Sequence, residues 1–96
     1  MEVTYHPFVK RDFIEALRYY HGITGALEDE FHEEVRSAIT QAAANPLRFH
    51  LVDQRFHRAN LRRFPYHILY EIREQDLRVM LIRHNKRHPN YGMTRK

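Results

Sequence analysis

Residues 66–84 read YHILYEIREQDLRVMLIRH, and their periodicity decides the fold. The first eight alternate as in a half-buried strand; one face carries Tyr66, Ile68, Tyr70 and Ile72, the other His67, Leu69, Glu71 and Arg73. The polar residues 74–76 predict a hairpin turn, and residues 77–84 predict the partner strand. The middle of that strand, Val79–Ile82, is apolar on both faces, which is typical of a central strand covered on both sides.

The first half of the chain is helical in its periodicity. Residues 2–6 alternate as a short strand, and Pro7 then suits the first position of a helix. That helix ends at Gly22, and its apolar stripe consists of Val9, Phe13, Ala16, Leu17 and Tyr20. Thr24 is the predicted N-cap of a second helix, which Asn45-Pro46 stops. Because few residues separate the two helices, we expect an antiparallel helical hairpin.

The remaining segments complete the predicted topology. Residues 47–58 are predicted to form an irregular connection, and residues 59–64 a strand that Pro65 interrupts. The expected fold is an α+β two-layer single domain of residues 1–96, ordered β-α-α-β-β-β, with the helical hairpin on one face of a mainly antiparallel sheet. A short basic tail, residues 85–96, follows. The other sheet face then needs a cover, either the tail or a partner, over Leu69, Met80 and Ile82.

Charge is distributed unevenly along the 96 residues. The net charge is +4, but residues 1–47 carry −4 and residues 48–96 carry +8. Such a cationic half suits an anionic partner, namely a nucleic-acid backbone, ribosomal RNA or an acidic protein segment; the alternative is a solvated basic face without a partner. The absence of cysteine excludes a disulfide scaffold and a thiolate metal site, and it fits a reducing cytoplasm. No apolar run reaches the ~20 residues of a membrane span.

The densest polar cluster follows the last strand, where residues 83–91 read RHNKRHPNY. Cleavage of RNA needs a base, an acid and cations for the developing phosphorane charge, and His, Tyr and Arg side chains can supply them. The same residue types also bind or solvate phosphate without chemistry, so both interpretations stay open. His84 and His88 have no cysteine or matched carboxylate beside them, and we therefore predict no metal site.

Two further observations concern ligands. Arg62 and Arg63 are adjacent on the predicted strand and would point to opposite faces, either as a phosphate or carboxylate clamp or as a charged edge that prevents aggregation. The sequence lacks a phosphate loop, a dinucleotide fingerprint and paired carboxylates. We therefore expect no cofactor and no small-molecule substrate.

The order of these motifs resembles one known family. The string Leu61-Arg-Arg-Phe-Pro-Tyr-His-Ile-Leu-Tyr70, an apolar strand, and then His84-x-x-Arg87-x-Pro89-x-Tyr91 are similar to the RelE/ParE superfamily of toxins from bacterial type II toxin–antitoxin modules. The resemblance implies the same β-α-α-β-β-β fold. It also implies a cytoplasmic, growth-arresting protein with a role in plasmid stabilisation. A cognate antitoxin would hold it inactive by wrapping it with helical or extended segments.

The superfamily divides by target. RelE-like toxins cleave mRNA in the ribosomal A site, whereas ParE-like toxins act on DNA gyrase. At the RelE-like basic positions this chain has Arg58 and Asn60 on the first meander strand, His67 after Tyr66, and Arg87 after the last strand. The Phe-Pro-Tyr string and the tail are closer to ParE. We therefore expect a gyrase-binding toxin; the alternatives are a ribosome-dependent mRNA endonuclease and a diverged, non-toxic antitoxin-binding member.

The resemblance also suggests which residues carry each role. If the protein is a nuclease, the candidate catalytic residues are His67, His84, Arg87 and Tyr91. The candidate contacts to the target or to nucleic acid are Arg58, Arg62, Arg63, Arg83, Lys86 and Arg87. The candidate antitoxin contacts are Leu69, Met80 and Ile82.

Overall fold

The computed structural model describes all of residues 1–96 as two helices and five strands. In chain order they are β1 (Glu2–Tyr5), α1 (Val9–His21), α2 (Gly25–Ala44), β2 (Leu51–Val52), β3 (Phe56–Asn60), β4 (Tyr66–Ile72) and β5 (Asp76–His84). Neither helix combines the length and the apolar character that crossing a bilayer requires.

The five strands form one sheet in the order β1-β5-β4-β3-β2. β1 pairs in parallel with β5, and every other neighbouring pair is antiparallel. β5 therefore lies inside the sheet, as its apolar middle predicts. The helical hairpin covers one face, so the α+β two-layer architecture expected from the sequence is confirmed.

Local signals explain both helices and their packing. Thr24 caps α2, because its side-chain oxygen accepts a hydrogen bond from the backbone N–H of Leu27 at 3.0 Å. Phe31 of α2 is fully buried, and its ring lies 5.1 Å from Tyr20 of α1 and 5.2 Å from Phe64 before β4. These aromatic contacts join both helices to the sheet and form the centre of the main core.

The segment between α2 and β4 differs from the sequence prediction. Residues 47–58 contain β2 and the beginning of β3, which form a hairpin closed by left-handed backbone at Asp53 (φ 54°) and Gln54 (φ 58°). This hairpin escaped detection because left-handed turn residues are usually glycine or asparagine. The strand predicted for residues 59–64 instead ends at Asn60.

Arg62 and Arg63 therefore lie in a loop and not on a strand, which corrects the prediction that they point to opposite sheet faces. The carboxylate of Glu34 on α2 explains the early end of β3. It accepts hydrogen bonds from the backbone N–H groups of Arg62 and Arg63, the latter at 3.2 Å. These donors consequently face the helix and not a neighbouring strand.

A β-bulge in β5 changes which residues share a face. Leu69 pairs with Leu81 and Tyr70 pairs with Val79, so Met80 has no partner across β4. After the bulge, Ile82 joins the helix-side core. Leu69 and Met80 instead form a second cluster with Phe56 and Leu81, against which Val52 and Met93 pack.

This arrangement places the three predicted antitoxin contacts on different faces of the sheet. Leu69 and Met80 are 0% exposed and Ile82 is 4% exposed, and the three do not share a face. The cover that the sequence required over the second sheet face is supplied in part by the tail, through Met93. Leu69 and Met80 therefore offer no open surface to a partner, whereas Ile82 lines a groove on the helix side of the sheet.

Candidate functional site

A buried ion pair fastens the tail to α1. The guanidinium of Arg95 donates to both carboxylate oxygens of Asp12, at 2.6 and 3.0 Å, and both side chains are less than 10% exposed. The pair also meets the backbone of β5, because Arg95 donates to the carbonyl of Met80 and Asp12 accepts from the N–H of Ile82. The pairing of β1 with β5 ends at Val79. The ion pair therefore supplies hydrogen-bond partners for the β5 backbone groups beyond that point, which β1 does not reach.

The electrostatics of this pair favour its charged form. Burial alone lowers the pKa of Arg95, but the hydrogen bonds and the negative charge of Asp12 raise it by more, so that the net pKa lies above its ordinary value. The hydroxyl of Tyr91 donates to Asp12 at 3.2 Å and adds another partner for the carboxylate. The sequence gives no local signal of this pair, since 83 residues separate its members.

A second buried group holds the other end of the tail. Arg83 donates from Nε to Nε2 of His67 at 3.0 Å, and from Nη1 to the carbonyls of Pro89 and Tyr91 at 2.7 and 3.1 Å. Arginine can only donate, so Nε2 of His67 accepts and Nδ1 carries the proton. That N–H donates to Oδ1 of Asn85 at 2.8 Å. Both ring nitrogens of His67 are thus occupied.

Burial fixes the charge state of this group. It lowers the pKa of His67 to about 4, against the opposing effect of the hydrogen bond that His67 donates to Asn85. Burial also lowers the pKa of Arg83, with a smaller contribution from the positive charge of Arg58. The sequence suggested His67 as a catalytic residue if the protein is a nuclease, and Arg83 as a target contact. In the structure His67 is 1% exposed and Arg83 is 7% exposed.

The low pKa of His67 makes stability depend on pH. Its pKa in the unfolded chain is near 6.5, so the unfolded state takes up a proton first and the folded state loses stability as the pH falls from 6.5 to 4. Between pH 7 and pH 4.5 we expect this residue to remove about 2–3 kcal/mol from the free energy of unfolding.

Urea denaturation of the wild type and of His67→Gln at both pH values measures this effect. Glutamine keeps one donor and one acceptor but does not titrate, so the variant should lose less stability on acidification. Equal losses in the two proteins would contradict the assigned protonation state.

A small cleft between α1 and the end of β5 brings together the three remaining candidate catalytic residues, His84, Arg87 and Tyr91. Its volume is about 90 Å³, and Asp12 and Glu15 line its α1 side. Its other side is lined by Ile82, by the edge of Arg83, and by four residues that we call the tail patch: Tyr66, His84, Arg87 and Tyr91.

Aromatic contacts organise the tail patch. The Arg87 guanidinium lies 4.0 Å from the centroid of the Tyr91 ring, in a cation–π contact, and the rings of Tyr66 and His84 meet edge to face at 5.0 Å. Nδ1 of His84 accepts from the backbone N–H of Lys86. The patch therefore presents one exposed cation over aromatic surface, with Lys86 exposed beside it.

The other predicted cations do not join this patch. Arg62 and Arg63 line a separate groove of about 780 Å³ against α2, where Arg63 pairs with Glu30 at 2.7 Å. Arg58 is half-buried and donates to Asn60 at 2.9 Å. The six predicted cations are thus divided between the tail, the α2 groove, strand β3 and the interior.

Sequence reasoning missed one large apolar opening. A groove of about 770 Å³, which we call the apolar groove, lies between the edge strand β1 and the two helices. Its apolar lining includes Val3, Val9, Phe13, Val35, Ile39, Ala43 and Ile82. The charged or titratable side chains that line it are Tyr5, His6, Lys10, His32 and Arg36, and no carboxylate does. The helical periodicity of Val35 and Ile39 predicts an apolar face on α2. It cannot show that the sheet leaves part of this face uncovered.

Comparison with known proteins identifies the family. The chain matches the family model described as ParE toxin of type II toxin-antitoxin system, parDE, over residues 3–89. The match runs from β1 to Pro89 and so includes both helices, all five strands and the beginning of the tail. A search among curated proteins gives no match. The resemblance to RelE/ParE toxins drawn from the sequence is thereby confirmed, and the chain belongs to the ParE toxin family of type II toxin–antitoxin systems.

Proposed function

We propose that this protein arrests growth by binding DNA gyrase, without cleaving nucleic acid, and that a cognate antitoxin neutralises it in the cytoplasm. Family membership supports the toxin assignment. The observation that carries the choice of binding over catalysis is the burial of His67 and Arg83, whose hydrogen bonds hold the tail. A plasmid-stabilisation role would follow from the same pairing of toxin and antitoxin.

Ribonuclease chemistry has few of its required groups in the tail patch. Cleavage needs a base on the nucleophile and an acid on the leaving oxygen. His84 is the one histidine of the patch, and the Tyr91 hydroxyl is committed to the buried Asp12 carboxylate. An mRNA endonuclease would therefore depend on His84 and Arg87, and this alternative predicts RNA ends that a gyrase inhibitor does not produce.

The tail patch and its neighbours are the proposed contact surface for the target. Lys86 and Arg87 are exposed, and they belong to the half of the chain that carries a net charge of +8. Such a surface attracts anionic partners, whether acidic protein segments or the DNA that gyrase holds. Arg58, Arg62 and Arg63 are proposed to contribute to the general positive field and not to the patch itself.

Inhibition of DNA supercoiling by purified gyrase tests the target assignment. We expect the wild type to inhibit supercoiling, and we expect Arg87→Ala to lose roughly ten- to hundredfold in potency, because it removes a charge-assisted contact worth about 1.5–3 kcal/mol. Arg73→Ala is the matched control, since Arg73 is an exposed arginine paired with Asp76 at the β4–β5 turn.

Mapping of RNA 5′ ends after induction of the toxin distinguishes the alternative. New ends within translated codons, together with unimpaired supercoiling, would replace the gyrase proposal by the endonuclease. Absence of growth arrest in cells that lack the antitoxin would instead favour the non-toxic family member.

The apolar groove is the proposed binding site for the antitoxin. Its lining is largely apolar, and the charged side chains in it, Lys10 and Arg36, are both basic, which suits an amphipathic segment with acidic flanks. The groove borders β1, whose outer edge has no strand beside it in the sheet. An antitoxin segment can therefore bury apolar side chains in the groove and pair with the strand edge, as either a helix or an extended chain.

A further inference from the structure

The tail is fixed by buried side chains at two separate points. Arg83 donates to the carbonyls of Pro89 and Tyr91, and Arg95 is bound by Asp12 and the carbonyl of Met80. Local backbone hydrogen bonds of 2.9–3.2 Å close successive turns between β5 and Arg95. A basic segment that could have been mobile is thus held against the sheet over most of its length.

This anchoring determines where the exposed pair of the tail patch lies. The ring of Tyr91 supports the Arg87 guanidinium at 4.0 Å, and the Tyr91 hydroxyl is fixed by Asp12 at 3.2 Å. The Tyr91 carbonyl is in turn fixed by Arg83. The phenol that orients Arg87 is therefore held at both its backbone and its hydroxyl.

We propose that Arg83 is a positioning residue, which never touches the target but holds the Arg87–Tyr91 pair as a preformed binding surface. The inference rests on the proposed function in taking the tail patch as the target-binding surface. Preorganisation of this kind strengthens binding because fewer backbone and side-chain conformations are lost when the complex forms.

The planar fork of arginine suits this role better than lysine. Nε of Arg83 donates to His67 while Nη1 reaches two carbonyls of the tail, so one rigid group joins β4, β5 and the tail. His67 must stay neutral to accept that bond, and Asn85 holds its proton on the opposite nitrogen. A lysine ammonium can reach the carbonyls but lacks the second, fixed arm toward His67.

Amide hydrogen exchange and growth arrest, measured on the full chain, test the proposal together. For Arg83→Met we expect the tail amides of residues 87–95 to exchange at least about tenfold faster, and the toxin level needed for growth arrest without antitoxin to rise about tenfold. In both measurements Arg83→Lys should fall between the wild type and Arg83→Met, because it restores the carbonyl contacts alone. If Arg83→Met does not fold, Arg83→Lys alone provides the test.

Two control variants separate positioning from contact. Arg87→Met should lose potency while its tail exchanges as in the wild type, because the anchors remain. Arg73→Met, at the distant β4–β5 turn, should change neither quantity.

The outcomes decide between the roles. A loosened tail with full potency, or an unchanged tail in both Arg83 variants, would overturn the positioning role. Growth arrest does not presuppose gyrase, so a wild type that arrests growth without inhibiting supercoiling would remove the gyrase proposal and still leave the Arg83 comparison decisive.

Discussion

Replacement of Arg95 by methionine is expected to lower the free energy of unfolding by about 3–5 kcal/mol. Methionine fills much of the space of the arginine stem but leaves the Asp12 carboxylate, which is 5% exposed, with the Ile82 N–H and the Tyr91 hydroxyl as its remaining partners. It also leaves the Met80 carbonyl without its donor. Small domains are stable by about 5–15 kcal/mol, so urea denaturation at pH 7 should show a large decrease in midpoint.

Two further variants show whether burial is the cause. Arg36→Met breaks an exposed 2.7 Å pair with Glu33 and should change stability by less than about 0.5 kcal/mol. The double variant Asp12→Asn/Arg95→Gln removes both charges but keeps an acceptor for Ile82 and a donor for Met80, so it should recover much of the loss. A single Arg95→Met effect no larger than that of Arg36→Met would contradict the role given to the buried pair.

Much of the fold follows from local patterns in the sequence. The two helices have regular apolar stripes and a strong N-cap at Thr24, and the β4–β5 hairpin has alternation with a polar turn. These signals need no knowledge of distant contacts. The β2–β3 hairpin lacks the glycine that usually marks such a turn, and so the residues around Asp53 read as irregular.

The site was less predictable because its residues are chosen by distant partners. Residues 83–91 form one polar cluster in the sequence, but in the structure Arg83 is buried and Arg87 is exposed. The bulge at Met80 reverses the face of Ile82, and strict alternation cannot anticipate a one-residue insertion in a strand. Buried charges give no local signal either. The burial of Asp12 is explained only by its ion pair with Arg95, which is distant in the sequence.

The two proposed surfaces are separate, although Ile82 lies at the border of both. The tail patch contains the exposed cation over aromatic rings, whereas the apolar groove contains aliphatic and phenylalanine surface beside β1. A substitution within the groove and away from Ile82 should therefore affect the antitoxin and leave target binding intact. This separation permits a genetic test in which toxicity persists despite the antitoxin.

Replacement of Ile39 by glutamate is expected to weaken antitoxin binding at least about a hundredfold, which corresponds to about 2.7 kcal/mol. Ile39 lines the apolar groove from α2 and is half-buried. A carboxylate there would lie unpaired beneath the bound segment and would repel acidic flanks. Isothermal titration measures the affinity, and co-expression with the cognate antitoxin should show growth arrest that the antitoxin no longer relieves.

Ile23→Glu is the matched control, because Ile23 is 53% exposed and lies outside the groove. It should leave both neutralisation and growth arrest unchanged. Lys10→Glu reverses an exposed charge at the groove and should weaken antitoxin binding to a smaller, salt-dependent extent, since it does not place a charge beneath the bound segment. If the antitoxin dose that neutralises the wild type also fully neutralises Ile39→Glu, the antitoxin does not bind in this groove. Loss of growth arrest without antitoxin would show that the groove also contributes to target binding.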